Sequence, residues 1–324
     1  MLSSPFISRP LAVNQIMLRV LLALLPGIAL YVWYFGPAIL ISITLASLTA
    51  LATEALMLKL RGRPLKPFLT DNSALLTAWL LALSVPPLAP WWLVVVGTAF
   101  AIAVAKQLYG GLGNNPFNPA MIGYAVLIIS FPHEMTHWLS PQSLGTAHLS
   151  LAEQLAYVFS GALPPGLALD AITMSTPLDT LKTQLHLGHA VSEIRTLPIY
   201  GHLAGQGTEM LAIGFAAGGL YLLFSRIISW HLPLAFLATL FGMAGIFHLI
   251  DPAHYVEPLF HWFSGAAMLG AFFILTDPVS SPTTAKGKII FAVGAGILTY
   301  LIRVFGGFPD GVAFATLLMN MCVP

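Results

Sequence analysis

FLTDNSALLTAWLLALSVPP, residues 68–87, carries the chain from a polar turn into an uninterrupted apolar run. Its opening letters recur in the second half as FILTDPVSS (273–281), where they leave an apolar run instead of entering one. In each half the next apolar run ends on a glycine pair, LYGGLGNNPFNPA (108–120) and RVFGGFPDGVA (303–313). A chain that repeats the same interruptions in the same order reads as a duplication. Apolar runs between charges, Pro and Gly give ten candidate spans, near 17–35, 37–58, 73–88, 90–108, 119–131, 210–225, 230–250, 261–276, 287–304 and 310–323. Five spans per half is an odd number, so the two copies must have opposite topology. Inverted repeats of this kind build transporter-like cores, and interruptions in matching positions point to a site at the repeat interface. The third, fifth, eighth and tenth spans fall short of the ~20 residues that cross hydrocarbon, which predicts broken or half-crossing helices. The predicted fold is an all-α polytopic membrane protein of about ten transmembrane helices, arranged as two inverted five-helix repeats.

Composition agrees. Of 324 residues, 57% are hydrophobic and 8% charged, against roughly 25% charged in a soluble domain. Alternating barrel strands are absent. With a net charge of +1, nothing points to a nucleic-acid partner; lipid is the expected surroundings. Of the 13 Lys and Arg, ten fall on one side if the N-terminus is cytoplasmic: Arg9, Arg19, Lys59, Arg61, Arg63, Lys66, Lys106, Arg226, Lys286 and Lys288. Lys182, Arg195 and Arg303 fall outside, a positive-inside split that also puts the C-terminus in the cytoplasm. The chain then divides into a first membrane repeat (1–131), a segment outside the membrane (132–209) and a second repeat (210–324). In a double-membrane bacterium the middle segment is periplasmic and the protein lies in the inner membrane. The N-terminal MLSSPFISRPLAVNQIM lacks the layout of a signal peptide and is expected to stay attached.

One Cys, Cys322, can neither close an internal disulfide nor hold an iron–sulfur cluster. Any electron carried by this chain therefore needs an organic cofactor or a partner's. No G-x-S-x-G or P-loop is present. FPHEMTHW sets His133 and His137 four residues apart, with Glu134 between, and HLGH holds His186 and His189; without a third ligand these read as surface or interfacial histidines, not a zinc centre.

Asp71 and Asp277 have two readings. As helix caps they accept orphan backbone N–H groups; as intramembrane acids, costing ~2.5–3.5 kcal/mol on insertion scales, they belong to an ion pathway. Glu54 has the same functional reading, but lies close enough to Lys59 and Arg61 that a paired boundary acid is preferred. In GGLGNNPFNPA, Asn114 and Asn115 suit a turn, and Asn118 followed by Pro119 reads as an N-cap and first helical residue whose free N–H groups face an anion or polar ring. LDAITMSTPLD (169–179) packs Asp170, Thr173, Ser175, Thr176 and Asp179 into eleven residues, which by letters alone is an exposed polar turn.

FLTDNSALLTAWLLALSVPP, GGLGNNPFNPAM, DAITMSTPLD, TDPVSSPTTAKGK and GGFPDGVAFATLLMN, in this order, resemble the NqrB/RnfD family. Its members include the RnfD component of the Rnf ion-translocating oxidoreductase complex and the NqrB component of the sodium-pumping NADH:quinone oxidoreductase. The resemblance covers nearly the whole chain. It implies FMN joined by a phosphoester to a threonine in a motif like D-x-x-[S/T]-x-A-T, installed by a separate flavin transferase. On that motif Asp170 is the leading acid, Thr173 the middle hydroxyl and Thr176 the flavinylated residue, with Ser175 where the family usually has Ala. It further implies a noncovalent riboflavin in the membrane part, sought near the repeat interface around Asn72, Asn114, Asn115 and Asn118. The expected function is that of a flavin-carrying membrane subunit of an electron-transport translocase, not catalytic alone. Its partner subunits would bear other flavins and iron–sulfur clusters, and electron transfer between NADH and ferredoxin would drive Na+ or H+ across the membrane. A passive solute channel of urea-channel-like architecture is the alternative, though it has no use for the segment carrying DAITMSTP; a scaffold that docks partners is a third.

Overall fold

The computed structural model describes residues 11–323. Arg9, and with it the first ten residues of the N-terminal stretch, lies outside the described residues. The molecule is built from apolar helices, as a polytopic membrane protein should be. The first group comprises α1 (Val13–Phe35), α2 (Ala38–Leu60), the short α3 (Leu65–Leu69), α4 (Ser73–Ala82), α5 (Trp91–Phe100) and α6 (Pro119–Ser130), with α5 continuing as a π-helix over Ala101–Gln107. A middle segment follows, with a two-stranded antiparallel pair of β1 (Trp138–Leu139) and β2 (Thr173–Met174), and helices α7 (Leu151–Ser160), α8 (Pro177–His186) and α9 (Val191–Ile194). The last group comprises α10 (Thr208–Phe224), α11 (His231–Ile250), α12 (Pro258–Phe263), α13 (Ala267–Leu269), α14 (Ala285–Phe305) and α15 (Val312–Asn320). Here α13 runs on as a π-helix over Gly270–Ile274.

Each expected span coincides with helix. Four helices, α1, α2, α11 and α14, are long and apolar enough to cross a membrane by themselves, at 20–23 residues each. The four spans read as short are short: α4 has 10 residues, α6 has 12 and α15 has 9, while the eighth is broken at Ser264–Ala266 between α12 and α13. Local chemistry explains the breaks. Ser84-Val85-Pro86-Pro87 cannot continue α4, because a proline lacks the N–H and restricts the residue before it. Asn118 starts α6 as the sequence predicts, its Oδ1 accepting from the N–H groups of Ala120 and Met121 at 3.0 and 3.3 Å.

Helix α1 lies against α10, α2 against α4 and α5, α11 against α14, and α6 against α15. Glycine closes the first of these contacts. A Cβ at Gly218 would overlap the Ala23 carbonyl oxygen, so the backbones of α1 and α10 touch directly. Between helices in lipid, where no hydrophobic gain accrues from leaving water, such close approach supplies the dispersion contact. Leu18, Leu22, Leu25, Leu48, Leu234 and Leu249 point outward, the surface an apolar solvent requires.

Glu54 departs from the sequence expectation. Lys59 is exposed and Arg61 bonds to Gln107, its Nη1 donating to the backbone oxygen at 2.8 Å. The partner of Glu54 is Lys106, whose Nζ lies 2.5 Å from Oε1, with both side chains buried. Gln107 Nε2 donates to the same oxygen at 2.8 Å. Consecutive residues of an α-helix face different ways; the π-helical stretch holds more residues per turn and brings Lys106 and Gln107 to one acceptor. Lys106, counted in the sequence among the charges of the cytoplasmic side, is an interior residue.

Candidate cofactor site

The polar stretch 169–179 is tied at both ends. Leu169–Ala171 forms a 3-10 turn on which Asp170 is exposed, and Thr173 Oγ1 donates to the Leu169 carbonyl at 3.0 Å. Ile172 is buried with Ala38, Ile41, Leu88 and Val158, anchoring this end to the first helix group and α7. Strand β2 pairs Thr173 with Leu139 and Met174 with Trp138. Ser175 is exposed; Thr176 is half-buried and caps α8, its Oγ1 accepting from the Asp179 N–H at 3.2 Å, with Pro177 at the first helical position. Leu178 then enters a second core with Leu181, Ile194, Tyr200, Val256 and Phe260.

Three contacts fix the helix start. The Tyr200 hydroxyl donates to the Pro177 carbonyl at 3.0 Å; burial raises this phenol's pKa and the nearby Arg195 opposes the shift. A Cβ at Gly205 would overlap the Pro177 ring, so only glycine permits this approach. Lys182 Nζ donates to the carbonyls of Gly306 and Phe308. Burial lowers the Lys182 pKa and the Asp179 carboxylate opposes it. Through Lys182 the stretch 169–179 and the helix it starts are joined to GGFPDG, the glycine-pair loop of the second half.

Between these elements lies a cavity of about 420 Å³, within the roughly 300–1,000 Å³ of small-molecule sites. Tyr31 and Phe35 of α1, Tyr124 of α6, Phe215 of α10, Trp138 of β1 and Phe308 of the glycine-pair loop contribute aromatic wall. Met174, Ser175, Thr176 and Asp179 form part of its lining. A flat aromatic ring suits such walls. A phosphoryl group on Thr176 Oγ would sit at the first turn of α8, where the helix dipole favours an anion, although Pro177 has no N–H to offer and that of Asp179 is bonded to Thr176 Oγ1. The aromatic walls and the Thr176 hydroxyl fit FMN esterified at Thr176, while the carboxylates of Asp179 in that first turn and Asp310 on the cavity wall oppose its negative charge.

The other predicted residues lie apart from this stretch. Asp71 precedes the N-cap residue Asn72 of α4 and accepts from the Ser73 N–H at 2.7 Å and from the Ser73 hydroxyl at 2.5 Å. That hydroxyl in turn accepts from Lys106 Nζ at 2.7 Å, linking Asp71 to the buried Glu54 pair. Asp277 accepts from the Val279 N–H at 3.3 Å and the Ser280 hydroxyl at 2.7 Å. Asn118 donates through Nδ2 to the Ile274 carbonyl at 3.3 Å and through its backbone N–H to Asn320 Oδ1 at 3.1 Å, and Asn320 Nδ2 donates to the Ser280 carbonyl at 2.9 Å. The Asn118 backbone N–H and Nδ2 thus join the two halves, while its Oδ1 caps α6. Asn115 is buried and donates to the Phe117 carbonyl at 3.0 Å, Asn114 is exposed, and Asn72 has φ 65° and donates to the Asn14 carbonyl at 3.2 Å. His133 and His137 meet edge to face with ring centres 4.6 Å apart.

Two ion pairs escaped the sequence reading, the buried Glu54–Lys106 and the part-buried Arg303–Asp310. The available signal was positional: Lys106 and Arg303 each stand shortly before the glycine pair of their half.

The family described as NQR2, RnfD, RnfE matches the chain across residues 1–324. The chain is 52% identical over 330 aligned residues to the D component of the ion-translocating oxidoreductase complex of Escherichia fergusonii, with 99% of this chain and 94% of the relative covered. The proteins of the same name from Klebsiella pneumoniae and Cronobacter sakazakii match to the same extent, at 52% identity over 99% of this chain and 94% of theirs.

Proposed function

The chain belongs to the NQR2, RnfD, RnfE family, and from that premise we propose that it is the flavin-carrying membrane subunit of an Rnf-type complex. The complex couples electron transfer between NADH and ferredoxin to Na+ or H+ movement across the bacterial inner membrane. The observation that carries this reading is Thr176, which lines an aromatic-walled cavity of about 420 Å³ while its hydroxyl caps α8. FMN attached there through a phosphoester supplies the electron-carrying chemistry. The chain's own part is to hold the ring and exclude water from it. Tyr31, Phe35 and Trp138 offer faces to the ring, the start of α8 receives the phosphate, and Tyr200, Lys182 and Gly205 keep that helix start in place. Asp170, exposed beside the strand, and Thr173 serve recognition by the flavin transferase.

In this reading both termini face the cytoplasm and the middle segment faces the periplasm, so that the transferase reaches Thr176 from outside. Helices α1 and α10, and likewise α6 and α15, pack across the two halves in matching positions, which supports two inverted five-helix repeats. Asp71 and Asp277 are parts of the ion pathway. Noncovalent riboflavin in this reading binds near Asn72, Asn114, Asn115 and Asn118, of which Asn114 is exposed. Other Rnf components supply the clusters and nucleotide site that this chain lacks.

In-gel ultraviolet fluorescence of the denatured protein, produced with the transferase, tests the attachment. A band is expected for the wild type and for Ser175→Ala, and none for Thr176→Ala. A band that survives Thr176→Ala and vanishes in Ser175→Ala or Thr173→Ala moves the attachment to that hydroxyl. No band in the wild type removes the covalent flavin.

A further inference from the structure

The cavity beside Thr176 is lined, among the described residues, by two carboxylates and no basic side chain: Asp179 and Asp310. They are held very differently. Asp179 is half-exposed on α8 near Lys182. Asp310, in the GGFPDG loop, accepts from Arg303 Nε at 3.1 Å and the Val312 N–H at 3.3 Å through Oδ1, and from the Ala266 N–H at 2.6 Å through Oδ2. The Arg303 side chain is 1% exposed and that of Asp310 21%. Arg303 cannot swing into the cavity, because Nη1 donates to the His261 carbonyl at 2.7 Å and Nη2 to the Ser264 carbonyl at 3.0 Å. Gly265, at φ 59°, wraps the pair, and a Cβ there would overlap Asp310 Oδ2. The result is a fixed dipole, with its negative end on the cavity wall and its positive end sealed behind it.

We propose that Asp310 is the cofactor-facing charge that sets the potential of the flavin on Thr176, and that Arg303 is the positioning residue that holds that carboxylate in place on the cavity wall. The inference rests on the reading of Thr176 given above. Reduction adds negative charge to the isoalloxazine ring. In a cavity walled by apolar and aromatic groups, a nearby carboxylate acts with little screening, so it opposes that added charge and holds the potential down. A protein tunes a bound redox cofactor by such fixed charges around the ring.

The test is a mediated dithionite titration of the whole complex, following flavin absorbance, together with the fluorescence band as the measure of loading. Asp310→Asn removes the negative end and leaves the Arg303 charge uncompensated. Its flavin potential is expected to rise by at least a tenfold shift of the one-electron equilibrium, 59 mV. Asp310→Glu keeps the charge and is expected to stay near the wild-type potential, whereas a merely structural role for Asp310 would leave all these potentials alike. If Asp310→Asn does not accumulate, Arg303→Met/Asp310→Asn takes its place, since it leaves no unpaired buried charge; a smaller rise is expected. A full fluorescence band with the wild-type potential in the variant overturns the inference. Absence of the band from the wild type instead overturns the Thr176 reading.

Discussion

Lys106 Nζ stands 2.5 Å from Glu54 Oε1, while Glu54 Oε2 has no hydrogen-bond partner among the described residues. Removing one member strands the other as an uncompensated charge in a low-dielectric interior, which costs ~3–5 kcal/mol. Lys106→Met is expected to lose stability on that scale. Glu54→Gln/Lys106→Met is expected to recover much of it, since neither partner is then charged. Denaturation of the detergent-solubilised protein measures both, and a double variant no more stable than the single one would sink the account.

Close approach of α1 and α10 makes a second expectation. Gly218→Ala places a methyl on the Ala23 carbonyl oxygen and must push the helices apart, a loss of ~1–3 kcal/mol on the scale of overpacked cores. Gly242 in α11 has nothing within 4 Å of its would-be Cβ, so Gly242→Ala is expected to leave the melting temperature unchanged or slightly higher. Equal effects at the two positions would contradict the contact.

The start of α7 should be acid-sensitive. Ser150 donates its backbone N–H and hydroxyl to Glu153 Oε2, each at 2.7 Å, holding the Glu153 carboxyl below its ordinary 4.5. A carboxyl with a depressed folded-state pKa stabilises the fold fully above its unfolded-state value, and that contribution is lost as pH falls through the folded value. Amide exchange in residues 150–155, corrected for intrinsic rates, is therefore expected to accelerate on acidification through that window. Ser150→Ala should be looser at neutral pH and respond less. Protection that is indifferent to acid in the wild type would refute the linkage.

For the two aspartates at the helix breaks, Asp71→Asn and Asp277→Asn are expected to lower ion transport by reconstituted complex while the Thr176 fluorescence band keeps its intensity. Transport at the wild-type rate in both would return them to plain helix caps.

Helix positions were legible from sequence because apolar runs, prolines and glycine pairs are local signals: Asn118-Pro119 announces α6, and Pro86-Pro87 ends the segment containing α4. The buried partners were not. Glu54 stands near Lys59 and Arg61 in sequence but meets Lys106, because a π-helical turn re-aims that side chain and nothing in AIAVAKQ signals one. The cavity was equally hidden, for its walls come from α1, α6, α10, β1 and the second glycine-pair loop, segments that only the tertiary fold assembles. Thr176 could be named as a site only through family resemblance; its letters alone describe a capped turn.

Ile172 is buried against Ala38 and Leu88, Leu178 against Val256 and Phe260, and Thr176 lies between them. Six peptide steps, at most ~20 Å when fully drawn out, thus act as a strap with one buckle on each half of the molecule. Any displacement of one half against the other would therefore be felt at the residue in the strap, because both of its ends are held by packed side chains.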